Sequence, residues 1–155
     1  MPTKIPRRYA PSSLNKRDRK KQLKAIKTSR REYKKGIYKT RPKLKSFVSK
    51  TSPHITKAKK IYKVKRITAN KTLSKKTGCS VKALKKIVNK GVGAYFSTGS
   101  RPNQTGLSWG RARLASAITG GPSSRLDYSI LKKGCKKNSK ALKKARKPKK
   151  KLKKK

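Results

Sequence analysis

From Ser13 to Gly36, Leu23, Ile26, Arg30 and Tyr33 recur at helical spacing, which predicts a single-sided helix of about twenty residues that stops at Gly36. Its apolar stripe is thin, and like charges four residues apart oppose the helix in isolation, so a partner or a phosphate is expected to order it. Before it, residues 1–13 carry prolines at positions 2, 6 and 11 and read as an extended basic arm with Tyr9 as its apolar anchor. After it, residues 37–51 alternate apolar and basic groups around Pro42, as an extended connector does. Ser52 and Pro53 then supply an N-cap and a first-turn proline for a short helix with Ile55, Ala58 and Tyr62 on its apolar side. His54, the lone histidine, sits at that helix start with no acidic neighbour and reads as an ordinary packing or exposed residue.

Residues 72–91 carry the clearest motif of the nucleic-acid kind. Leu73 and Ser74 open a short helix, Gly78 takes the turn, and Val81, Leu84 and Ile87 form the stripe of a second helix, a spacing that resembles a helix-turn-helix. Lys82, Lys85, Lys86, Asn89 and Lys90 then project outward, where lysines meet phosphates and Asn89 can reach a base edge. An ordinary helical hairpin with a lysine-rich face has the same pattern, and it is the more common structure.

Lysine vanishes between Gly91 and Leu131, although the chain holds 38 of them, and seven of its ten glycines lie in that island beside the sole tryptophan, Trp109. The opening GVGAYFSTGSRPNQT reads as a glycine-rich loop, in which Ser97, Thr98, Ser100 and Thr105 can cradle an anion clamped by Arg101, or which simply docks one helix on another. The second use is favoured, because no lysine-containing phosphate-loop signature follows. Beyond it, GLSWGRARLASAITGG predicts a helix capped by Thr105 and stopped at Gly120, Gly121 and Pro122. Leu107, Leu114, Ala115 and Ile118 are its core face, small residues keep it slim, and Trp109 with the stem of Arg113 covers the junction. Ser124 and Asp127 resemble a capping box for a helix bearing Leu126, Ile130 and Leu131, and Asp127 is also placed to form a structural ion pair with Arg111, Arg113 or Arg125.

From Lys136 to the end, thirteen of twenty residues are basic, which predicts a mobile tail whose Lys143, Lys144, Arg146, Lys149 and Lys150 neutralise phosphates. The whole chain carries a net charge of +48 against only Asp18, Glu32 and Asp127. That charge repels itself and calls for a polyanion; it matches the phosphates along roughly 80 Å of duplex. Lysine is a hydrated point charge rather than a bidentate fork, so binding should be sequence-independent and weakened by salt. With one histidine and three acids, general acid-base chemistry has almost no candidates, and no cofactor, metal or small-molecule substrate is expected. Cys79 and Cys135 are far apart and match no metal or disulfide spacing, so reduced thiols are expected. No apolar run approaches membrane-span or signal-peptide length.

The strings RYAPSSL, DRKKQLKAIKTSRREYKKG, KTGCSVKALKKIVNKGVGAYFSTGSRPNQTGLSWGRARLASAITGG and DYSILKKGC resemble, from Arg8 to about Lys137, a family of small lysine-rich proteins of nucleocytoplasmic large DNA viruses, the chlorella-virus and mimivirus kind. The resemblance implies a component of such a virus or its particle, present in the virion and, during assembly, in the host cytoplasm or nucleus. The expected fold is mainly α: a basic arm (1–13), basic helices and connector (14–67), a compact helical module (68–135, with its glycine-rich loop and two helices over 91–134) and the tail (136–155). The expected function is that of a non-enzymatic structural protein, a minor capsid or inner virion component bridging viral capsid proteins to anionic partners: double-stranded DNA or an inner membrane surface. A histone-like, sequence-independent DNA-condensing protein is the alternative.

Overall fold

The computed structural model describes residues 4–48 and 52–153, with side chains described as far as Arg146. Among them the structure is mainly α-helical. A 3-10 turn, Arg7–Tyr9, precedes eight helices: α1 (Lys16–Lys34), α2 (Pro53–Tyr62), α3 (Lys71–Thr77), α4 (Val81–Ser97), α5 (Gly106–Ile118), α6 (Pro122–Leu126), α7 (Tyr128–Gly134) and α8 (Lys140–Lys153). They form two compact units, unit 1 from Met1–Lys50 and Val92–Trp109, and unit 2 from Thr51–Gly91 and Gly110–Lys155. These divisions do not fall at residues 68 and 135: the chain changes unit inside α4 and again inside α5.

Unit 1 is built on a polar seam. The Asn15 side chain caps α1 by accepting from the Asp18 N–H at 2.8 Å. The face of α1 turned inward is Asp18, Gln22, Ile26 and Ser29, which keeps Ile26 of the expected stripe but puts Gln22 and Ser29 in place of Leu23 and Arg30, one position earlier. Each polar member meets backbone or hydroxyl partners far along the chain. Asp18 accepts from both the N–H and the hydroxyl of Ser46; Gln22 donates to the Tyr9 and Ser100 carbonyls; Ser29 donates to the Phe96 carbonyl at 3.0 Å. Tyr9 is buried as the expected anchor and meets Trp109 edge-on at 5.8 Å.

Arginines hold the C-terminal end of α4, where carbonyls lack helical partners and the helix dipole is negative. Arg30 Nε donates to the Thr98 carbonyl at 2.7 Å. Buried Arg41 donates from Nη1 to the Tyr95 carbonyl at 2.8 Å and to Ser29 Oγ at 3.2 Å, and from Nη2 to Ser100 Oγ at 2.7 Å. Its guanidinium lies 3.8 Å over the Tyr95 ring. Desolvation pulls its pKa below the usual arginine value. Asn103, at φ +60°, fastens the connector: its Oδ1 accepts from Leu44 N–H and its Nδ2 donates to the Leu44 and Phe47 carbonyls.

Unit 2 has a conventional core. Leu73, Leu84, Ile87, Leu114, Ala115, Ala117, Ile118, Leu131 and Leu142 are fully or almost fully buried, each larger aliphatic side chain adding roughly 1.5–3 kcal/mol. Gly91 is where backbones close: an added Cβ would stand 2.5 Å from the Gly110 Cα, so only glycine permits this crossing of α4 and α5. Tyr62, in α2, donates its hydroxyl to the Ile118 carbonyl at the end of α5.

Several expectations are overturned here. Gly91 and Gly93 belong to α4, which continues to Ser97, so the glycine-rich loop is shorter than expected. Leu107 is exposed rather than in the core, and Leu126 ends α6 instead of lying on one helix with Ile130 and Leu131. The Ser124–Asp127 capping box does not form: Ser124 donates back to the Gly121 carbonyl at 2.6 Å, and α6 and α7 meet at Asp127 without a side-chain cap. Cys79 and Cys135 are joined as a disulfide, not held as separate thiols. The turn before α4 and the turn after α7 pair as a short antiparallel bridge, Ser80 N–H to Gly134 carbonyl and Lys136 N–H to Gly78 carbonyl, and this brings the two sulfurs together. The tail is helical through α8, whose Ala141, Leu142 and Ala145 are buried at helical spacing. Lysine-rich composition hid that stripe.

Candidate polyanion-binding face

The α3–turn–α4 segment sets out one cationic face of unit 2. Asn70 caps α3 through the Leu73 N–H at 3.0 Å, earlier than the Leu73–Ser74 start expected. Gly78, at φ +79°, ends it, and a three-residue turn leads to Ser80, whose Oγ accepts from Ala83 N–H at 3.1 Å and caps α4. The turn length is that of a helix-turn-helix. Ala83, Leu84, Ile87, Val88 and Gly91 turn inward, so Lys82, Lys85, Lys86, Asn89 and Lys90 are left on the exposed arc. Lys82 to Lys90 spans about 12 Å of helix axis.

A shallow groove of about 320 Å³ opens beside this arc, between α4 and α7. Lys82 and Lys86, one helical turn apart, line one side; Lys133 and Ser129 line the other; Ser80, Ala83, Ile130 and Gly134 complete it. No carboxylate lines the groove. Three ammonium groups and two hydroxyls around an opening free of acids can hold a phosphate by charge and hydrogen bonding. Lys133 and Ser129 were not legible as partners of Lys82, because only the packing of α7 against α4 brings them there.

Lys90 differs from its neighbours. Its Nζ lies 3.9 Å from Asp127 Oδ1, so part of its charge faces inward. Asp127, fully buried, is held by Arg113 through Nε to Oδ2 at 2.9 Å and Nη2 to Oδ1 at 2.8 Å. Of the three arginines named from sequence, Arg113 makes this pair, and its hydrogen bonds to Asp127 raise its pKa. The pair joins α5 to the α6–α7 corner.

The island's hydroxyls do not converge on Arg101. Ser97 and Thr98 hydroxyls lie 3.4 Å apart on the surface, Ser100 is buried between Arg41 and the Arg101 carbonyl, and Thr105 caps α5 through the Ser108 N–H at 3.1 Å. Arg101 itself is exposed. These groups therefore dock elements of unit 1 and build no anion cradle, and Trp109 packs against Tyr9 in the same unit. In α8, Lys143 is exposed while Lys144 and Arg146 are half-buried; the side chains of Lys149 and Lys150 lie outside the described residues.

Among the described residues, no group of three histidine, cysteine or acidic side chains is placed to hold a metal ion, and no helix is long and apolar enough to cross a membrane. No curated protein matches this chain, and no solved structure does. A family model matches residues 6–127, well over half of the chain, and on that match the protein belongs to DUF5824, a family of unknown function.

Proposed function

We propose that this is a non-enzymatic structural protein that fastens a polyanion, with double-stranded DNA as its partner. The observation that carries this reading is the acid-free lysine face of unit 2: Lys82, Lys85 and Lys86 on α4 with Lys133 across the groove, on a folded scaffold. All three acids have internal work, Asp18 with Ser46, Glu32 with Arg31 at 3.8 Å and Asp127 with Arg113, which supports a role without acid-base catalysis. In the setting that the sequence resemblance implies, a large DNA virus particle, the protein is an inner or minor capsid component that ties the shell to the genome. A histone-like condensing role uses the same face, and the helix-turn-helix spacing favours it as the second reading.

Titration of duplex DNA at increasing salt tests the binding. Affinity should fall steeply, with a log–log slope of about −0.9 per phosphate neutralised, and replacing Lys82, Lys85, Lys86 and Lys133 by Gln should reduce that slope by about 3 to 4. An unchanged slope in the quadruple variant removes this face from the DNA interface. Cross-linking within purified particles separates the two roles. Links from Lys82 and Lys133 to capsid proteins mark a shell tie, and recovery only with DNA marks a condensing protein.

A further inference from the structure

At the end of α1, unit 1 carries a ladder of aromatic rings that leads out to solvent. The Tyr38 ring lies 5.7 Å from Tyr33 and 5.3 Å from Phe96, tilted by 49° and 50°. Phe96 meets buried Tyr95 edge-on at 4.8 Å, and Arg41 covers the Tyr95 ring. Gly36, at φ +81°, turns the chain after α1, with Gly36 N–H returning to the Tyr33 carbonyl and Ile37 N–H to the Glu32 carbonyl. The turn lays Tyr38 back beside Tyr33. Yet Tyr38 remains 66% exposed and Ile37 44% exposed.

An aromatic side chain braced by two others has lost rotamer freedom without gaining burial, so its open surface is pre-set for a ligand. The charge of the segment states the ligand's charge. Arg31, Lys34, Lys35 and Lys39, all within seven residues of Tyr38 in the chain, are exposed, and the one acid in that stretch, Glu32, is only 15% exposed and lies 3.8 Å from Arg31. An exposed aromatic ring on a segment this rich in exposed cations suits unpaired bases on a phosphate chain: the ring stacks on a base and the cationic groups take the flanking phosphates. Duplex DNA hides its base faces, and an acidic peptide gives the ring no planar partner.

We propose that Tyr38, braced by Tyr33 and Phe96, is a stacking platform for an unpaired nucleobase, with Arg31, Lys34, Lys35 and Lys39 holding the adjoining phosphates, so that unit 1 binds single-stranded nucleic acid. This activity is separate from duplex binding by the α4 face.

The test uses the full chain and fluorescence anisotropy with a labelled oligothymidylate of about twenty nucleotides, an abasic strand of equal length, a duplex, and polyglutamate of equal charge as competitor. The base-bearing strand should bind about tenfold more tightly than the abasic strand at one salt concentration. Tyr38→Ala should erase that advantage, Tyr38→Phe should keep it, and neither should change duplex affinity. Tyr38 is exposed, and circular dichroism checks that both variants stay folded. Equal binding of abasic and base-bearing strands overturns the proposal, as does an equal loss of duplex affinity in Tyr38→Ala. Competition by polyglutamate that depends on Tyr38 also overturns it, making the ladder a protein-docking surface. Duplex affinity reports on the α4 face and the strand ratio on Tyr38, so failure of either is recognised separately.

Discussion

In unit 2 most buried positions are leucine, isoleucine and alanine, buried hydroxyls such as Thr77, Thr119 and Ser124 bond to carbonyls three or four residues back, and the one buried acid, Asp127, has an arginine fork on it. In unit 1 the buried face of α1 is largely Asp18, Gln22 and Ser29, and the buried cation Arg41 is held by a carbonyl, two hydroxyls and a ring, with no carboxylate among those partners. The contrast shows two ways for a chain this poor in apolar residues to close a core. Apolar burial is non-directional and tolerates exchange of similar volumes, whereas a polar seam holds only while every donor meets its acceptor. Unit 1 should therefore be sensitive to geometry at Arg41, and unit 2 to the covalent and backbone constraints that let its small residues approach.

The largest expected effect separates the units by redox state. The disulfide joins residues 56 apart, both in unit 2, and closing a loop of that length stabilises by roughly 4 kcal/mol through the unfolded state. Reduction with dithiothreitol should lower the urea midpoint of unit 2, read from amide exchange at Leu84, Ile87 and Leu131. Fluorescence of Trp109, which reports on unit 1, should hold its midpoint. A matching fall in the Trp109 transition would mean that the units unfold as one and that the comparison fails.

A smaller effect probes the seam. Arg41→Lys keeps the charge but loses the fork that serves Ser29, Ser100 and Tyr95 together, and should cost about 2 kcal/mol in the Trp109 urea transition. A neutral outcome would show that charge at the end of α4 suffices and that the hydrogen-bond geometry does not matter.

The smallest effect is acid sensitivity in unit 1. Hydrogen bonds from the Ser46 side chain, then its backbone, hold the Asp18 carboxyl below its ordinary value of 3.8. A carboxyl whose pKa is depressed on folding adds stability that is present above the ordinary value and is lost as pH falls through the lower folded one. The Trp109 midpoint should thus decline below about pH 4, and Ser46→Ala should flatten that decline. An unaltered pH profile in Ser46→Ala would leave Asp18 without a part in the seam.

Individual residues show how far the sequence could be read. Ile26 was placed correctly on the buried side of α1, but Gln22 and Ser29 were not, because their acceptors at Tyr9, Ser100 and Phe96 lie 13, 78 and 67 residues away. Alone on a charged helix, a glutamine and a serine look like surface. The outward lysines of α4 were legible because helical periodicity assigns the exposed arc once Leu84 and Ile87 are known to be buried. Lys133, on the facing wall of the groove, was not. Tyr38 looked like one more aromatic in an alternating connector, and only its position between Tyr33 and Phe96 makes it a platform.

Helical class, the stop at Gly36, the turn at Gly78, the cap at Thr105 and the outward lysines of α4 were written in the chain, because each depends on neighbours within about one helical turn. The Cys79–Cys135 link, the choice of Arg113 by Asp127, the burial of Arg41 and the groove between α4 and α7 came from packing. Each unites groups at least 12 residues apart in sequence, and no local propensity can select such a partner before helices dock and bring the candidates within hydrogen-bonding or covalent reach.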